Sequence, residues 1–528
     1  MPDVDVVVVG AGFAGLYQLH RLRGLGLRTR VVEAGSGVGG TWFWNRYPGA
    51  RCDVESLEYS YSFSPELEQE WEWSERYPAQ PEILRYVEHV ADRFDLRRDV
   101  AFDTRVTAAT WQDDHWEIET DAGGRIAATY CVFATGCLSV PKEPDLPGVE
   151  TFAGPTYSTA RWPHEGVDLT GRRVAVVGTG SSGVQSIPVI AEQAARLTVF
   201  QRTANYVVPA RNGPLEPAVQ QARKADYPRH RQAARESVNG LLGTPSQVSA
   251  LSVDEAERTA AFERAWERGG LSSFRQTFGD LGLDLAANDT AAEFIRSKIR
   301  EVVDDPETAE ALGPRDHPFG TKRPCLDTGY FETYNRPHVR LVDLHKTPIE
   351  EITPTGVRTT DELVEVDDLV LATGFDAMTG ALLAVDVTGR DGRRLRDEWA
   401  HGPRTYLGLG VAGFPNLFTI TGPQSPSVLS NMLVSIEQHV DWVTDCLATL
   451  AGRTIEAEEQ AQDRWVAHNA EAGAQTLMGL ANSWYLGANV PGKPRVLLPY
   501  TGGVGPYREI CDAVAAKGYA GFRVTETA

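Results

Sequence analysis

The sequence predicts an α/β protein built from two Rossmann-like dinucleotide-binding domains with a helical insertion. Three observations carry this. Two short apolar strands run directly into glycine-rich turns that open helices, at Gly10 and again at Gly178. Between Pro214 and Pro314 strand signals vanish and Ala-rich, charged sequence takes over. A chain of 528 residues, 42% hydrophobic and 23% charged, has the length for several ordinary cored domains.

The first element, Val4 to Val9, is an apolar run of the kind buried on both faces of a sheet. It leads into Gly10-Ala11-Gly12-Phe13-Ala14-Gly15, after which Leu16, Leu19 and Leu22 recur at helical spacing until Gly24 and Gly26 end the helix. Thr29 to Glu33 supplies the second strand. The same logic returns with Arg173 to Val177, then Gly178-Thr179-Gly180-Ser181-Ser182-Gly183, then Leu197 to Phe200. In the helical region, Ser252 with Glu255 and Thr290 with Glu293 read as capping boxes, and Asp305-Pro306 stops a helix. Strands resume at His338 to Val342 and Leu369 to Ala372, and a long helix spans Ser430 to Leu450. Ala134-Thr135-Gly136 and Ala372-Thr373-Gly374 each come after an apolar strand and read as crossing points between domains. The expected division is an FAD-binding domain from 1–142 and 376–528, an NADP-binding domain from 143–210 and 319–375, and an insertion over 211–318.

Composition narrows the function classes. Lys and Arg number 51 against 72 Asp and Glu, a net charge of −21, so the bulk field repels nucleic acid and anionic lipid. The six cysteines contain no C-x-x-C pair, which argues against a zinc knuckle or a redox dithiol. The first residues enter a strand with no basic or apolar leader, and no stretch has the apolar length of a bilayer span, so a cytoplasmic protein without membrane partners is expected.

The residues downstream of each glycine loop distinguish the two. In both, glycines allow the tight turn and bring the backbone close to a pyrophosphate seated on the helix N-terminus. Glu33 ends the strand after Gly10, where an acid accepts from a ribose 2′-hydroxyl. The equivalent strand end after Gly178 reads Gln201-Arg202-Thr203, and a cation there suits a 2′-phosphate. The reading is FAD at the first loop and NADPH at the second, with Lys322 as a second cation near that phosphate.

The run from Gly39 to Asp53, G-G-T-W-F-W-N-R-Y-P-G-A-R-C-D, resembles the flavin-contacting loop of type I Baeyer–Villiger monooxygenases. Further matches come in order along the whole chain: Gly178 to Gly183, His317 to Arg323, Ala372 to Asp376, Thr421 to Asn431 and Asn482 to Tyr485. The family fingerprint F-x-G-x-x-x-H-x-x-x-W-P is met by Phe152, Gly154, Trp162 and Pro163, with Ser158 at the histidine position. That segment reads as an inter-domain linker in which the histidine, or here the serine hydroxyl, couples domain rotation to coenzyme binding.

The resemblance implies that NADPH reduces FAD, that a flavin C4a-peroxide formed with O₂ adds to a ketone, and that rearrangement gives an ester or lactone. It assigns Arg323 to stabilising the anionic species and Asp53 to pairing with and tuning Arg323. It carries over Gly10, Gly12, Gly15, Glu33, Thr41, Trp42, Asp53 and Tyr59 as FAD contacts, with Trp42 and Tyr47 equally readable as core aromatics. Gly178, Gly180, Ser181, Gly183, Arg202, Thr203, Lys322, Arg323 and Trp484 are carried over as NADPH contacts, Trp484 from a loop that closes over the coenzyme. Met432 is a pocket candidate or a core methionine, and His317 reads as structural. Two other functions fit the same scaffold: oxygenation of nitrogen or sulfur nucleophiles, and a cofactor-binding relative impaired in oxygenation. Arg323 with Asp53 favours the ketone chemistry, since an amine attacking a hydroperoxide needs no anion-stabilising arginine.

Overall fold

The computed structural model describes residues 2–243, 245–450 and 452–526. The larger sheet runs, in spatial order, Asp386–Thr388, Val106–Trp111, Trp116–Thr120, Arg125–Phe133, Val4–Val9, Thr29–Val32 and Val100–Ala101, with Leu417–Thr419 also pairing to Arg125–Phe133. Val4–Val9 is central and parallel to both neighbours, with Val9 opposite Val32 on one side and Phe133 on the other. Its side chains alternate between two cores. Val6 and Val8 join the cluster containing Leu16, Leu19 and Leu22, whereas Val7 and Val9 join Trp116, Phe133 and Phe414. That is why the run is continuously apolar.

The second sheet is wholly parallel, in the order Val339–Asp343, Arg196–Gln201, Arg173–Val177, Asp368–Leu371 and Thr156–Ser158. Val174 and Val176 face one core while Ala175 and Val177 face the other. The fingerprint segment, expected to be a linker, is instead part of this sheet. Thr156–Ser158 is an edge strand, with Ser158 opposite Leu371, and Ser158 Oγ accepts from Ala160 N–H at 3.3 Å to start a helical turn. The next hydroxyl, Thr159 Oγ1, lies 3.1 Å from Ser182 Oγ at the start of the second glycine helix. Gly154 is there for packing, since a Cβ would stand 2.3 Å from the Asp367 carbonyl oxygen, and Trp162 is buried against Tyr157.

The insertion contributes the helices Glu255–Arg268, Leu271–Arg275, Leu285–Val302 and Pro306–Leu312, among others. Phe262, Phe274, Phe278 and Phe294 pack in one cluster with Val174, Val176 and Ile187, so the insertion and the second sheet share a core. Neither expected capping box forms. Asp254 caps one helix by accepting from Glu257 N–H at 2.8 Å, and Asp284 caps the other by accepting from Ala287 N–H at 2.8 Å. Ser252 instead donates to the Ser249 carbonyl, and Thr290 lies inside its helix, donating back to the Ala287 carbonyl. In each case an aspartate at the true helix start takes the free amide. The long C-terminal helix begins at Met432 rather than Ser430. Among the described residues no helix is long and apolar enough to cross a membrane.

The two glycine turns are built alike. Gly10 adopts φ +104° and Gly178 φ +112°, and a Cβ would stand 2.7 Å from the Ala134 carbonyl oxygen in the first and 2.4 Å from that of Ala372 in the second. The two A-T-G tripeptides are thus the floors against which the glycine turns close. The third glycines pack helix on turn: a Cβ on Gly15 would lie 1.8 Å from the Gly10 carbonyl oxygen, and one on Gly183 would lie 2.3 Å from that of Gly178. Gly15→Ala is expected to cost about 1–3 kcal/mol through overpacking and to weaken flavin retention. A thermal unfolding midpoint and flavin content equal to wild type would show that the helix can move aside freely.

Candidate active site

Both glycine loops open onto one cleft of about 1300 Å³. The helices Phe13–Gly24 and Ser181–Gln193 point their N-termini into it; neither has a side-chain cap or an acid in its first turn. Free amides at the positive end of a helix dipole are suited to a phosphate. Glu33 closes the first cradle, with its two oxygens accepting from Ala11 N–H and Gly35 N–H at 2.7 Å each. Burial pushes its carboxyl above the ordinary value, and the two amides oppose this. The site therefore fits an FAD pyrophosphate and ribose.

At the second cradle Arg202 lies exposed on the lip, with Thr203, Ser181, Gly178 and Gly180 lining the wall. Lys322 is lowered by burial and by the charge of Arg202, with Asp316 opposing at 3.8 Å. Lys142 is lowered in the same way, by burial and by Arg202. Two lysines whose charged forms are disfavoured by burial and by Arg202, gathered with it around one cleft, fit an anionic group, as a 2′-phosphate would supply. Lys142 was missed in the sequence because nothing local marks it. It arrives through a backbone bond, its N–H donating to the Gly374 carbonyl at 2.9 Å.

Between the cradles lies an ion pair. Arg323 Nε donates to Asp53 Oδ2 at 2.5 Å and Nη2 to Oδ1 at 2.8 Å, a two-pronged contact, while Nη1 donates to the Val428 carbonyl at 2.7 Å. The side chains are 23% and 24% exposed, enough to face the cleft. Burial alone would raise the Asp53 carboxyl, but the charge and hydrogen bonds of Arg323 hold it below its usual range. Burial likewise disfavours the guanidinium, and Asp53 more than offsets this, so Arg323 stays charged. Asp53 is placed by the aromatic loop, whose Trp42 Nε1 donates to Tyr59 Oη at 3.1 Å. Tyr47 anchors this loop to the second glycine helix by donating to Gln185 Oε1 at 2.7 Å.

Val428 belongs to a run in which Thr421, Gln424 and Ser427 all have positive φ (+52°, +67° and +39°). Buried His439 pins its start: Nδ1 accepts from Thr421 N–H at 2.9 Å, and burial with the nearby Arg508 charge pushes the imidazole down to about 3, so it is neutral. Non-glycine residues in this region cost energy and cluster at functional sites. Trp484 lines the cleft from a short turn, Trp484–Leu486, and its ring lies 4.3 Å from that of buried Tyr485. The loop after this turn is strapped to the Ala372–Asp376 segment and to Ala377 beyond it. Lys493 donates to Asp376 Oδ1 at 2.5 Å and to the Ala377 carbonyl at 2.7 Å, and Asn489 donates to the Phe375 carbonyl at 2.8 Å.

Of the expected site residues, Gly10, Gly12, Glu33, Thr41, Trp42, Asp53 and Tyr59 line the cleft. Gly178, Gly180, Ser181, Arg202, Thr203, Lys322, Arg323 and Trp484 line it too, as does Met432. Gly15 and Gly183 lie behind it, packed against their own turns. His317 is buried outside the cleft, its Nδ1 2.6 Å from Asp316 Oδ1.

A family model described as pyridine nucleotide-disulphide oxidoreductase matches residues 7–226. A solved structure of oxidized steroid monooxygenase bound to NADP is 54% identical, covers all of both chains and superposes with a TM-score of 0.95. A Baeyer-Villiger monooxygenase of Pseudooceanicola batsensis is 43% identical over all of this chain and 97% of its own length. A phenazine N-monooxygenase of Lysobacter antibioticus is 42% identical over 98% of this chain and 96% of its own.

The ion pair has a pH signature. Because the Asp53 carboxyl is lowered on folding, its contribution to stability is present above the pKa of an unfolded aspartate and is lost as pH falls through the folded value. Asp53→Asn is expected to remove that acid-side loss and to cost roughly 3–5 kcal/mol at neutral pH by stranding the guanidinium. Unfolding midpoints from neutral pH into the acid range test this, and superimposable profiles would refute it.

Proposed function

The chain belongs to the type I Baeyer–Villiger monooxygenases, FAD- and NADPH-dependent enzymes that convert ketones to esters or lactones, and from that premise we propose how its residues divide the work. Bound FAD, reduced by NADPH, supplies the activation of O₂. Gly10, Gly12 and the free amides of the first glycine helix hold the FAD pyrophosphate, and Glu33 takes the ribose. Thr41, Trp42, Asp53 and Tyr59 face the flavin. Gly178, Gly180, Ser181 and Thr203 hold the coenzyme backbone, while Arg202, Lys322 and Lys142 take the 2′-phosphate. Trp484 covers the coenzyme and keeps water out.

Arg323 is the catalytic residue of this reading. When oxygen adds to the ketone, negative charge develops on the former carbonyl oxygen. A guanidinium fixed by Asp53 and Val428 meets that charge without having to reorganise. Three of its five N–H donors are held by these partners, and the guanidinium also meets the buried Tyr485 hydroxyl. The observation that carries the reading is this two-pronged pair on the wall of a cleft that both glycine loops share. Asp53 acts through Arg323, as a positioning residue. A second reading, oxygenation of a ring nitrogen, draws support from the phenazine N-monooxygenase relative.

Product analysis after incubation with NADPH, O₂ and a panel of ketones and N-heteroarenes separates the two: esters or lactones support the first, N-oxides alone the second. Arg323→Ala is expected to abolish ester formation while NADPH oxidation continues and its electrons appear as hydrogen peroxide. Ester formation at near the wild-type rate would show the role misplaced. Arg202→Ala is expected to raise KM for NADPH about ten- to a hundredfold, the effect of losing a charge-assisted bond worth roughly 1.5–3 kcal/mol, with little change for NADH. Equal wild-type turnover with both coenzymes would refute the phosphate assignment.

A further inference from the structure

A second cleft, of about 520 Å³, lies between the Asp53–Tyr77 stretch of the first domain and the helices of the insertion. Asp53 and Val54 belong to its wall as well as to that of the main cleft. On a chain with a net charge of −21, this cleft collects four arginines: Arg76, Arg223, Arg264 and Arg268. Only Arg76 is closely matched, by Glu55 at 2.7 Å. Arg223 has Glu58 at 3.6 Å, and its Nη1 is buried with no acceptor. Glu58 in turn accepts from Leu242 N–H at 3.1 Å, and burial pushes its carboxyl upward while Leu242 and Arg223 oppose this. Arg264 and Arg268, a turn apart on Glu255–Arg268, are exposed at the edge of the cleft and have no ion-pair partner among the described residues. Gln276 adds a buried Nε2 donor that also lacks an acceptor. The third carboxylate on the wall, Asp53, is engaged by Arg323.

The two buried groups without an acceptor, Arg223 Nη1 and Gln276 Nε2, are both donors, and the exposed Arg264 and Arg268 add two cations beside them. Guanidinium forks match the planar or tetrahedral oxygens of a carboxylate or phosphate. We propose that the second cleft is a substrate subsite for such an oxyanion, carried at the far end of a ketone whose carbonyl sits at Arg323. Asp53 and Val54 stand on the walls of both clefts, which puts the proposed subsite next to the reaction centre. The proposal rests on the ketone-oxygenating reading above.

The test uses the FAD-loaded enzyme and ω-keto acids of increasing chain length, the matching ω-phosphate monoesters, and neutral methyl esters of the same acids. One anionic series is expected to exceed its neutral partner in kcat/KM by about tenfold or more at an optimal length, an advantage that shrinks with salt. Whichever anion shows it identifies the tail. The double variant Arg264→Gln/Arg268→Gln is expected to lose the advantage while keeping the neutral-ketone rate and the unfolding midpoint. Equal kcat/KM for charged and neutral ketones at every length, or a preference that survives the double variant, overturns the subsite while leaving the ketone reading intact. Failure to oxygenate any ketone, neutral ones included, overturns the reading beneath it and the subsite with it.

Discussion

A guanidinium removed from bulk water must find a carboxylate, and in this chain meeting that need joins three distant segments. Arg323 and Asp53 are 270 positions apart, and Val428 lies 105 positions beyond Arg323. Burying one charge without the other would cost several kcal/mol, so the aromatic loop, the approach to strand Cys325–Asp327 and the Thr421–Asn431 run must all arrive together. The rest of the cleft is arranged around this demand. The Gln185 side chain ties the aromatic loop to the second glycine helix, accepting from Tyr47 and donating to the Arg51 carbonyl at 3.1 Å. The placement of Asp53 is thereby coupled to the helix that faces the coenzyme.

The strained run beside Arg323 belongs to the same arrangement. Thr421 is β-branched, and its left-handed backbone is held by a neutral histidine that itself lies 2.9 Å from Tyr507 Oη. Such conformations persist only where the surroundings over-determine them. Thr405 Oγ1 donates within this network, to the Pro423 carbonyl at 3.0 Å, and Ser425 Oγ donates to the Gly422 carbonyl at 2.7 Å. The result is a rigid carbonyl at Val428, aimed at the guanidinium.

The two halves of the molecule solve one backbone problem twice and then diverge in charge. Each glycine turn presses against the carbonyl of an A-T-G alanine, and each third glycine lets its helix lie on the turn. Beyond that, the first cradle ends in a buried acid engaged by two amides, and the second in an exposed Arg202 whose charge disfavours the charged forms of Lys142 and Lys322. The same backbone geometry is thus followed by opposite charge at the two strand ends, Glu33 at one and Arg202 at the other.

Local features were legible in the sequence because they are local in origin. Buried runs such as Val4–Val9 and Arg173–Val177, the glycine turns they enter and the charge difference between Glu33 and Arg202 all arise from neighbours in the chain. The sequence by itself determined two dinucleotide cradles and, through motif resemblance, named Arg323 and Asp53. Tertiary structure alone decided what depends on distant partners. The fingerprint segment around Ser158 became a strand because Leu369–Leu371 offered it an edge, not because of its own composition. Asp254 and Asp284 displaced the expected caps once the helix starts were fixed by packing. Lys142 and the unpaired arginines of the insertion acquired their setting from folds of the chain that no spacing records. Hydrophobic periodicity and turn chemistry act over a few residues, whereas charge compensation acts through space and is settled only when the surfaces meet.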